Sequence, residues 1–223
     1  MLELGVKFLI SYFIGSLMGS MIVGRLRGGI DIRTMGSGNA GGTNALRTQG
    51  VLFALGVVLI DVGKGVIGAG VVPGFDIPFV PNDPAISRIW LTICCAAAAV
   101  IGHVYPIYHG FKGGKGAATF VGTLAVVCPA LIIGVVAVWT LVLVVSGYVG
   151  LATMSAATAL PIYLGIVVLP QEQATFVYTA VMAMCIVYWH RSNIRNMRNS
   201  QEHRNTGLMI FSRKKAGPGN DES

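Results

Sequence analysis

The stretch VLFALGVVLIDVGKGVIGAGVVP, from Val51 to Pro73, decides the fold class, because only Asp61 and Lys64 interrupt its apolar sequence. A transmembrane helix needs roughly 20 mostly apolar residues. Lipid offers the backbone no hydrogen-bond partners, so a stretch of this kind must be helical. The two charges are three residues apart and share one helix face, where charged groups at membrane depth pair or face a polar cavity. We interpret them as a structural ion pair, with a catalytic role as the alternative.

The rest of the chain repeats this pattern. Hydrophobic residues make up 54% of the 223 residues and charged residues only 11%, whereas soluble domains carry about a quarter charged residues. The apolar stretches predict seven spans, at residues 4–26, 51–73, 87–105, 117–128, 129–146, 150–169 and 174–190. The fourth is too short to cross roughly 30 Å at about 1.5 Å per residue, so it should lie beside a re-entrant segment.

The distribution of basic residues predicts the orientation. Most lysines and arginines lie in the loop after the first span, the loop after the third span and the C-terminal tail, and Lys7 and Arg88 are the exceptions. The positive-inside rule then places the N-terminus outside and the C-terminus in the cytoplasm. The net charge of +7 follows this topology and does not indicate nucleic-acid binding. We predict an all-α polytopic membrane protein, a seven-transmembrane-helix bundle with re-entrant or short helices, in one domain over residues 1–212 with a disordered cytoplasmic tail over residues 213–223.

Two glycine-rich basic loops separate these spans, GSGNAGGTNALR from Gly36 to Arg47 and FKGGKG from Phe111 to Gly116. Glycine permits tight turns and close approach of the backbone to a ligand. Free N–H groups beside hydroxyl, amide and cationic side chains form a site for phosphate oxygens. Neither loop has the spacing of the Rossmann fingerprint or the P-loop. The residues expected to contact phosphate are Ser37, Gly38, Asn39, Thr43, Asn44, Arg47, Lys112, Gly113, Gly114 and Lys115.

Three helix ends on the same predicted side add further candidates. His103 ends the third span, Ser146 lies between the fifth and sixth spans, and His190 and Asn193 follow the last span. Each has an ordinary alternative, because His103 can cap helix carbonyls and the others can be plain interface residues. We expect the loops and these helix ends to converge on one pocket that holds a phosphorylated substrate at the bilayer surface.

These residues resemble the motifs of one enzyme family. Asp31-Ile32-Arg33 followed by GSGNAGGTNALR, then GHVYPIYHGFKGGKGAAT over residues 102–119, then HRSNI over residues 190–194 with Glu202 beyond it, resemble its three motifs. The family is the bacterial acyl-phosphate-dependent glycerol-3-phosphate acyltransferases, and the resemblance spans about residues 4–204. The chain departs from the pattern at Gly42, where alanine is usual, at Gly147, where arginine is common, and at Gly150, where serine is common. Ala40 stands where proline is frequent, and Ser200 replaces a usual glycine.

The resemblance implies an enzyme of the bacterial plasma (inner) membrane with its active site on the cytoplasmic side. It would move a fatty acyl group from acyl phosphate to the sn-1 hydroxyl of glycerol 3-phosphate, giving lysophosphatidic acid and inorganic phosphate at the first step of phospholipid synthesis. The catalytic residues implied are Ser37, Arg47, His103, Lys115 and Asn193. Membrane lipid is the other expected partner. The oligomeric state is not given by the sequence, and we favour a monomer.

The donor chemistry limits what the protein must supply. An acyl phosphate is a mixed anhydride with a good leaving group, so the main task is to bring two anions together and neutralise them. We therefore expect no metal ion and no organic cofactor. The hydroxyl proton could pass to His103 or to a substrate phosphate oxygen. No aspartate stands five residues after any histidine, so the H-x-x-x-x-D motif with which soluble-type glycerolipid acyltransferases activate a hydroxyl is absent.

Two other classes remain as alternatives. A membrane transporter of a phosphorylated solute would also place glycine loops near the membrane, but such folds usually contain an internal repeat. The two glycine loops differ in length and composition and show no such repeat. A small structural membrane protein would not need this density of phosphate donors.

Overall fold

The computed structural model describes residues 1–210, which form ten α-helices and no β-strand. The predicted tail at residues 213–223 lies outside the described residues. The helices are α1 (Leu2–Gly15), α2 (Gly19–Leu26), α3 (Gly42–Gln49), α4 (Val51–Val66), α5 (Arg88–Val104), α6 (Ala117–Val127), α7 (Ile132–Ser146), α8 (Val149–Val167), α9 (Gln173–Trp189) and α10 (Arg191–Arg198).

Within residues 1–210, four continuous helical segments are long and apolar enough to cross a membrane. They are Val51–Gly74, Arg88–His109, Pro129–Ser146 and Val149–Val167. The helices α1 and α2 make a fifth if the pair, bent by 42°, is counted as one span. Two shorter apolar helices, α6 and α9, occupy the predicted fourth and seventh spans. The all-helical class with several apolar spans is confirmed.

The predicted first span is not continuous, because the chain breaks between α1 and α2. Met18 there adopts an extended conformation. A break inside a bundle leaves backbone groups that need partners, and the ion pair of α4 supplies them. The Lys64 ammonium donates to the Leu17 carbonyl at 2.8 Å, and the Gly19 amide donates to Asp61 Oδ1 at 3.1 Å. The interpretation of Asp61 and Lys64 as a structural pair therefore agrees with their contacts.

Glycines let the helices around this break touch backbone to backbone. A Cβ atom on Gly15 of α1 would overlap the backbone of Ala99, and one on Gly102 of α5 would overlap the Tyr12 carbonyl. A Cβ on Gly122 of α6 would likewise overlap the Val62 carbonyl of α4. Small residues permit this close packing of membrane helices. It brings α1 into direct backbone contact with α5, and α4 into direct backbone contact with α6.

A buried ionic cluster at the N-terminus of α1 explains the two exceptions to the charge rule. Glu3 is almost fully buried, and Lys7 donates to its carboxylate and to the Pro73 carbonyl, each at 2.8 Å. Arg88 donates to both Glu3 oxygens, at 2.6 and 2.9 Å. Both basic residues on the predicted outer side are thus paired with the Glu3 carboxylate, so their position is explained by this cluster and does not contradict the predicted orientation.

Candidate active site

One cavity of about 620 Å³ collects side chains from both glycine loops and from the ends of several helices. Its polar part contains cationic, amide and hydroxyl groups. Its apolar part runs between α6, α7, α8 and α9 and is lined by residues that include Val121, Val135, Trp139, Ala156 and Ile186. A polar mouth joined to an apolar interior suits a molecule with a charged head and a hydrocarbon chain.

The first glycine loop takes its shape from a buried amide. Asn44 donates to the carbonyls of Ile32 and Met35 at 2.9 and 3.0 Å and accepts from the Ser37 amide at 3.0 Å. Gly36 has a φ of +55°, a conformation that favours glycine. Asn44 lines the cavity, yet its amide is occupied in holding the loop, so its role in the structure is to present Ser37.

An arginine joins the two glycine loops. The Arg33 guanidinium donates to both oxygens of Asp31, with its shortest contact at 2.8 Å. Its Nη1 also reaches the carbonyls of His109 and Lys112, each at 3.4 Å. This guanidinium lowers the pKa of the Asp31 carboxyl, which keeps the pair charged. The predicted convergence of the loops thus depends partly on a residue outside the predicted site.

The glycines of the second loop are packing residues. The Gly113 amide donates to the Val104 carbonyl at 3.1 Å, and the Gly114 amide donates to the His103 carbonyl at 3.2 Å. A Cβ atom on Gly114 would overlap Nε2 of His103. These two amides are therefore occupied by carbonyls of α5, and the glycines serve to let the loop lie directly against the histidine.

Lys115 follows these glycines and reaches across to the start of α10. Its ammonium donates to Ser192 Oγ at 3.1 Å and to Asn193 Oδ1, and Asn193 in turn donates to Glu202 Oε1 at 2.7 Å. Burial lowers the pKa of the Lys115 ammonium below its ordinary value, and the charges of Arg191 and Arg47 lower it further. The Glu202 carboxylate opposes this shift. A phosphate dianion would restore the balance of charge in this group of cations.

His103 and Asp61 form a pair that the sequence motif search missed. The two residues are 2% and 1% exposed, and both line the cavity. His103 Nδ1 lies 3.4 Å from Asp61 Oδ1, a distance that fits an ion pair, although the two groups are not aligned for a hydrogen bond. A search for H-x-x-x-x-D cannot find this pair, because the two residues come from α4 and α5.

His190 is held by its own helix. Its Nδ1 lies 2.8 Å from the Ile186 carbonyl, at the point where α9 ends. Burial lowers the pKa of His190 to about 4, so the imidazole is neutral at physiological pH. A neutral ring that donates through Nδ1 keeps Nε2 as an acceptor.

Nine of the fourteen predicted site residues line the cavity, and the other five do not. Those that line it are Ser37, Asn39, Thr43, Asn44, Arg47, His103, Lys115, His190 and Asn193. The residues outside its lining are Gly38, Lys112, Gly113, Gly114 and Ser146. Lys112 is exposed on the loop surface. The cavity is also lined by polar residues that were not among the predicted site residues, including Asp61, Ser192, Asn196, Gln201, Glu202 and His203.

Ser146 and the two unusual glycines belong to the junction of α7 and α8. The Ser146 hydroxyl donates to the Val142 carbonyl at 2.6 Å and accepts from the Tyr148 amide at 3.2 Å, so it caps the helix end. A Cβ on Gly147 would press on Arg204, whose Nε donates to the Ser146 carbonyl at 2.9 Å. A Cβ on Gly150 would press on Asn193. These glycines make room for the segment after α10 and for a residue of the cavity.

Comparison with known proteins shows which family of sequences this chain matches. A family model described as glycerol-3-phosphate acyltransferase matches residues 6–200. The glycerol-3-phosphate acyltransferase of Chlorobium limicola is 36% identical over 230 aligned residues, which cover 92% of this chain and 98% of that protein. The enzyme of the same description from Chlorobaculum tepidum is 36% identical over 219 residues, covering 87% of this chain and 93% of that one.

Solved structures agree with these sequence matches. The crystal structure of PlsY (YgiH), an integral membrane glycerol 3-phosphate acyltransferase, in its glycerol 3-phosphate form has a TM-score of 0.77. Its lysophosphatidic acid form has a TM-score of 0.76. Each is 30% identical to this chain and covers 90% of it and 94% of the other chain. The resemblance inferred from the motifs is confirmed, and the chain belongs to the glycerol-3-phosphate acyltransferase family.

Proposed function

We propose that this protein transfers a fatty acyl group from acyl phosphate to the sn-1 hydroxyl of glycerol 3-phosphate, forming lysophosphatidic acid and inorganic phosphate. The main support is the single cavity in which Arg47 of the first loop and Lys115 of the second meet an apolar interior. The solved relatives described in glycerol 3-phosphate and lysophosphatidic acid forms support the acceptor and the product.

The reaction brings two phosphorylated reactants together, so repulsion between them must be offset. In our proposal two groups provide the opposing charge and hydrogen bonds. One is the first glycine loop, through Arg47, Ser37 and Thr43, and the other is the Lys115–Asn193 pair. Arginine suits this role because its planar fork binds phosphate oxygens in pairs. The donor's hydrocarbon chain occupies the apolar part of the cavity, where Trp139 donates to Thr153 at 3.2 Å.

In the bond-forming step the sn-1 oxygen attacks the acyl carbonyl carbon. The new ester bond forms while the bond from that carbon to the phosphate oxygen breaks, and phosphate leaves with the bonding electrons. The cations near the leaving group stabilise the charge that develops on it. The hydroxyl proton ends on inorganic phosphate, so the step is balanced. No metal ion or organic cofactor takes part in this scheme.

We place the enzyme in the bacterial plasma (inner) membrane as a single domain with its active site on the cytoplasmic side. The proposed topology has seven crossings, counting the bent pair of α1 and α2 once and including the shorter helix α9. The helix α6 is too short to cross alone, and in this topology it completes its crossing together with the re-entrant second glycine loop that precedes it. The N-terminus is then outside. The concentration of arginine and lysine around the cavity supports this orientation under the positive-inside rule. Family membership favours an enzyme over a transporter.

Reconstitution with defined substrates tests the proposal. Purified protein in detergent, given acyl phosphate and glycerol 3-phosphate, should release lysophosphatidic acid and inorganic phosphate in equal amounts, and acyl-CoA should not replace acyl phosphate. Lys115→Ala should abolish most turnover, whereas Lys112→Ala, a matched control in the same loop but outside the cavity lining, should not. Transfer from acyl-CoA but not from acyl phosphate would refute the proposed donor.

A further inference from the structure

A second cavity, of about 520 Å³, lies beside the candidate active site, and none of the proposed steps uses it. It is lined by Trp189, Arg191, Ser192 and Arg195, at the point where α9 ends and α10 begins. We call it the α10 cleft. Guanidinium and hydroxyl groups bind phosphate oxygens, and an indole suits the boundary between lipid and water, so the cleft has the chemistry of a site for a lipid phosphate.

The two arginines of the α10 cleft have no acidic partner. Arg191 and Arg195 are four residues apart and are therefore neighbours on one face of α10. Both are exposed, and among residues 1–210 neither forms a salt bridge. The Glu202 carboxylate, which follows α10 in the chain, accepts from Asn193 instead. Like charges at this spacing destabilise a helix, so an anion held between the two arginines would stabilise it.

One of the two guanidinium groups is already held in place. The Arg191 guanidinium lies 4.5 Å from the centre of the Tyr188 ring, and its Nη1 donates to the Tyr188 carbonyl at 3.2 Å. Its other side-chain N–H groups make no hydrogen bond to any residue that the structure describes. A group that is ordered before its ligand arrives loses less entropy on binding, so Arg191 is prepared to bind an anion.

Aromatic residues place the α10 cleft at the level of the lipid headgroups. Tyr188 and Trp189 end the apolar helix α9, and Tyr188 is exposed. The Trp189 indole donates to the hydroxyl of Tyr105, which follows α5, at 3.1 Å. Tryptophan and tyrosine concentrate at the boundary between membrane and water, where arginine meets lipid phosphate. Two uncompensated positive charges there favour a lipid with a net negative charge over a zwitterionic one.

Ser192 connects the α10 cleft with the candidate active site, because it lines both cavities. Its oxygen accepts from the Lys115 ammonium at 3.1 Å, so its own proton can be donated to a ligand in the cleft. Burial lowers the pKa of the Lys115 ammonium, and the charge of Arg191 lowers it further. An anion in the cleft would therefore also offset a positive charge beside Lys115.

We propose that the α10 cleft binds the phosphate of an anionic membrane phospholipid. Arg191 and Arg195 bind the phosphate oxygens, Ser192 donates a further hydrogen bond, and Trp189 packs against the apolar part of the lipid. The lipid is a bound partner and not a reactant, since three of the four lining residues lie outside the lining of the larger cavity. The inference does not depend on the proposed function.

Native mass spectrometry of the full chain, released from detergent micelles that contain defined lipids, tests this site. The protein should retain phosphatidylglycerol in preference to phosphatidylcholine. A basic residue near an anionic lipid contributes about fivefold to binding. Arg191→Gln/Arg195→Gln should therefore lower the apparent affinity for phosphatidylglycerol by about 25-fold. The matched control, Arg25→Gln/Arg27→Gln, removes two exposed charges at the end of α2 on the same predicted side and should leave that affinity nearly unchanged.

A single variant tests the α10 cleft by another route. Arg195→Glu places a carboxylate four residues after Arg191, where it pairs with the remaining guanidinium, and it should abolish the preference for phosphatidylglycerol. Glutamine and glutamate have helix propensities close to that of arginine, so α10 should form in every variant. Melting temperatures close to that of the wild-type protein check this.

Competition experiments identify the source of the phosphate. Inorganic phosphate in large excess should not displace phosphatidylglycerol, and displacement would assign the cleft to free phosphate and overturn the lipid site. Glycerol 3-phosphate should also leave the lipid bound, whereas displacement would mean that the lipid occupies the larger cavity. Equal losses in the two double variants would show only a general attraction to basic surface and would overturn a specific site. The assay of acyl transfer is separate from all of these measurements, so the proposed function can stand if this inference fails.

Discussion

Removal of the Glu3 carboxylate should strongly destabilise the protein, because it leaves Lys7 buried without a counter-charge. The Lys7 side chain is 2% exposed, whereas Arg88, the other partner of Glu3, is 52% exposed and can turn to solvent. Breaking a buried ion pair by removing one partner costs about 3–5 kcal/mol. The cluster lies at the N-terminal end of α1 with one partner half in solvent, so we take the lower figure, about 3 kcal/mol.

This loss is measurable as a shift in melting temperature. For a chain of this size about 1 kcal/mol corresponds to about 2–4 °C, so Glu3→Gln should melt about 6–12 °C lower. Unfolding of the purified protein in detergent measures this. Asp76→Asn is the matched control, since it removes an exposed carboxylate from the loop that precedes α5. Glu3→Gln/Lys7→Met should recover most of the loss, because an apolar replacement removes the stranded charge. Equal melting temperatures for Glu3→Gln and Asp76→Asn would refute the reasoning.

Three further predictions concern the cavity. Arg47→Lys should abolish most transfer while the protein still folds, because a point charge replaces a planar fork; near-normal turnover would remove Arg47 from the site. Gly114→Ala should lower activity, because its Cβ collides with His103 Nε2, whereas Gly63→Ala, with open space around it, should not; equal rates would contradict the packing. The pKa of His190 is about 4 in the folded protein against an ordinary 6.5. The unfolded chain therefore binds an extra proton between these values, and stability should fall as pH drops from about 6.5 to about 4. His190→Gln should flatten this part of the melting-temperature profile, and an unchanged profile would count against the burial of a neutral imidazole.

The structure changes the interpretation of several residues that the motifs singled out. Gly113 and Gly114 look like phosphate-binding glycines, but their amides bond to carbonyls of α5. Ser146 looks like a phosphate ligand, but its hydroxyl caps α7. In each case the residue type was compatible with phosphate, and the nearest partner in space was a backbone group. Residue type identifies what a group can bind, and packing decides which of its partners it meets.

Local sequence was enough to predict the helical membrane fold and the two glycine loops, and the distribution of charges placed Arg47 and Lys115 on the same predicted side of the membrane. That the two residues line one cavity is a fact of the tertiary structure. Apolar stretches must be helical in lipid wherever they occur, and the positive-inside rule depends only on where charges lie along the chain. Only the tertiary structure showed the break between α1 and α2, the contacts by which Arg33 joins the two glycine loops, and the pairing of Asp61 with His103. Each depends on a hydrogen bond or ion pair between residues far apart in the chain. Such contacts exist only after the helices have packed, so no pattern of neighbours along the sequence encodes them.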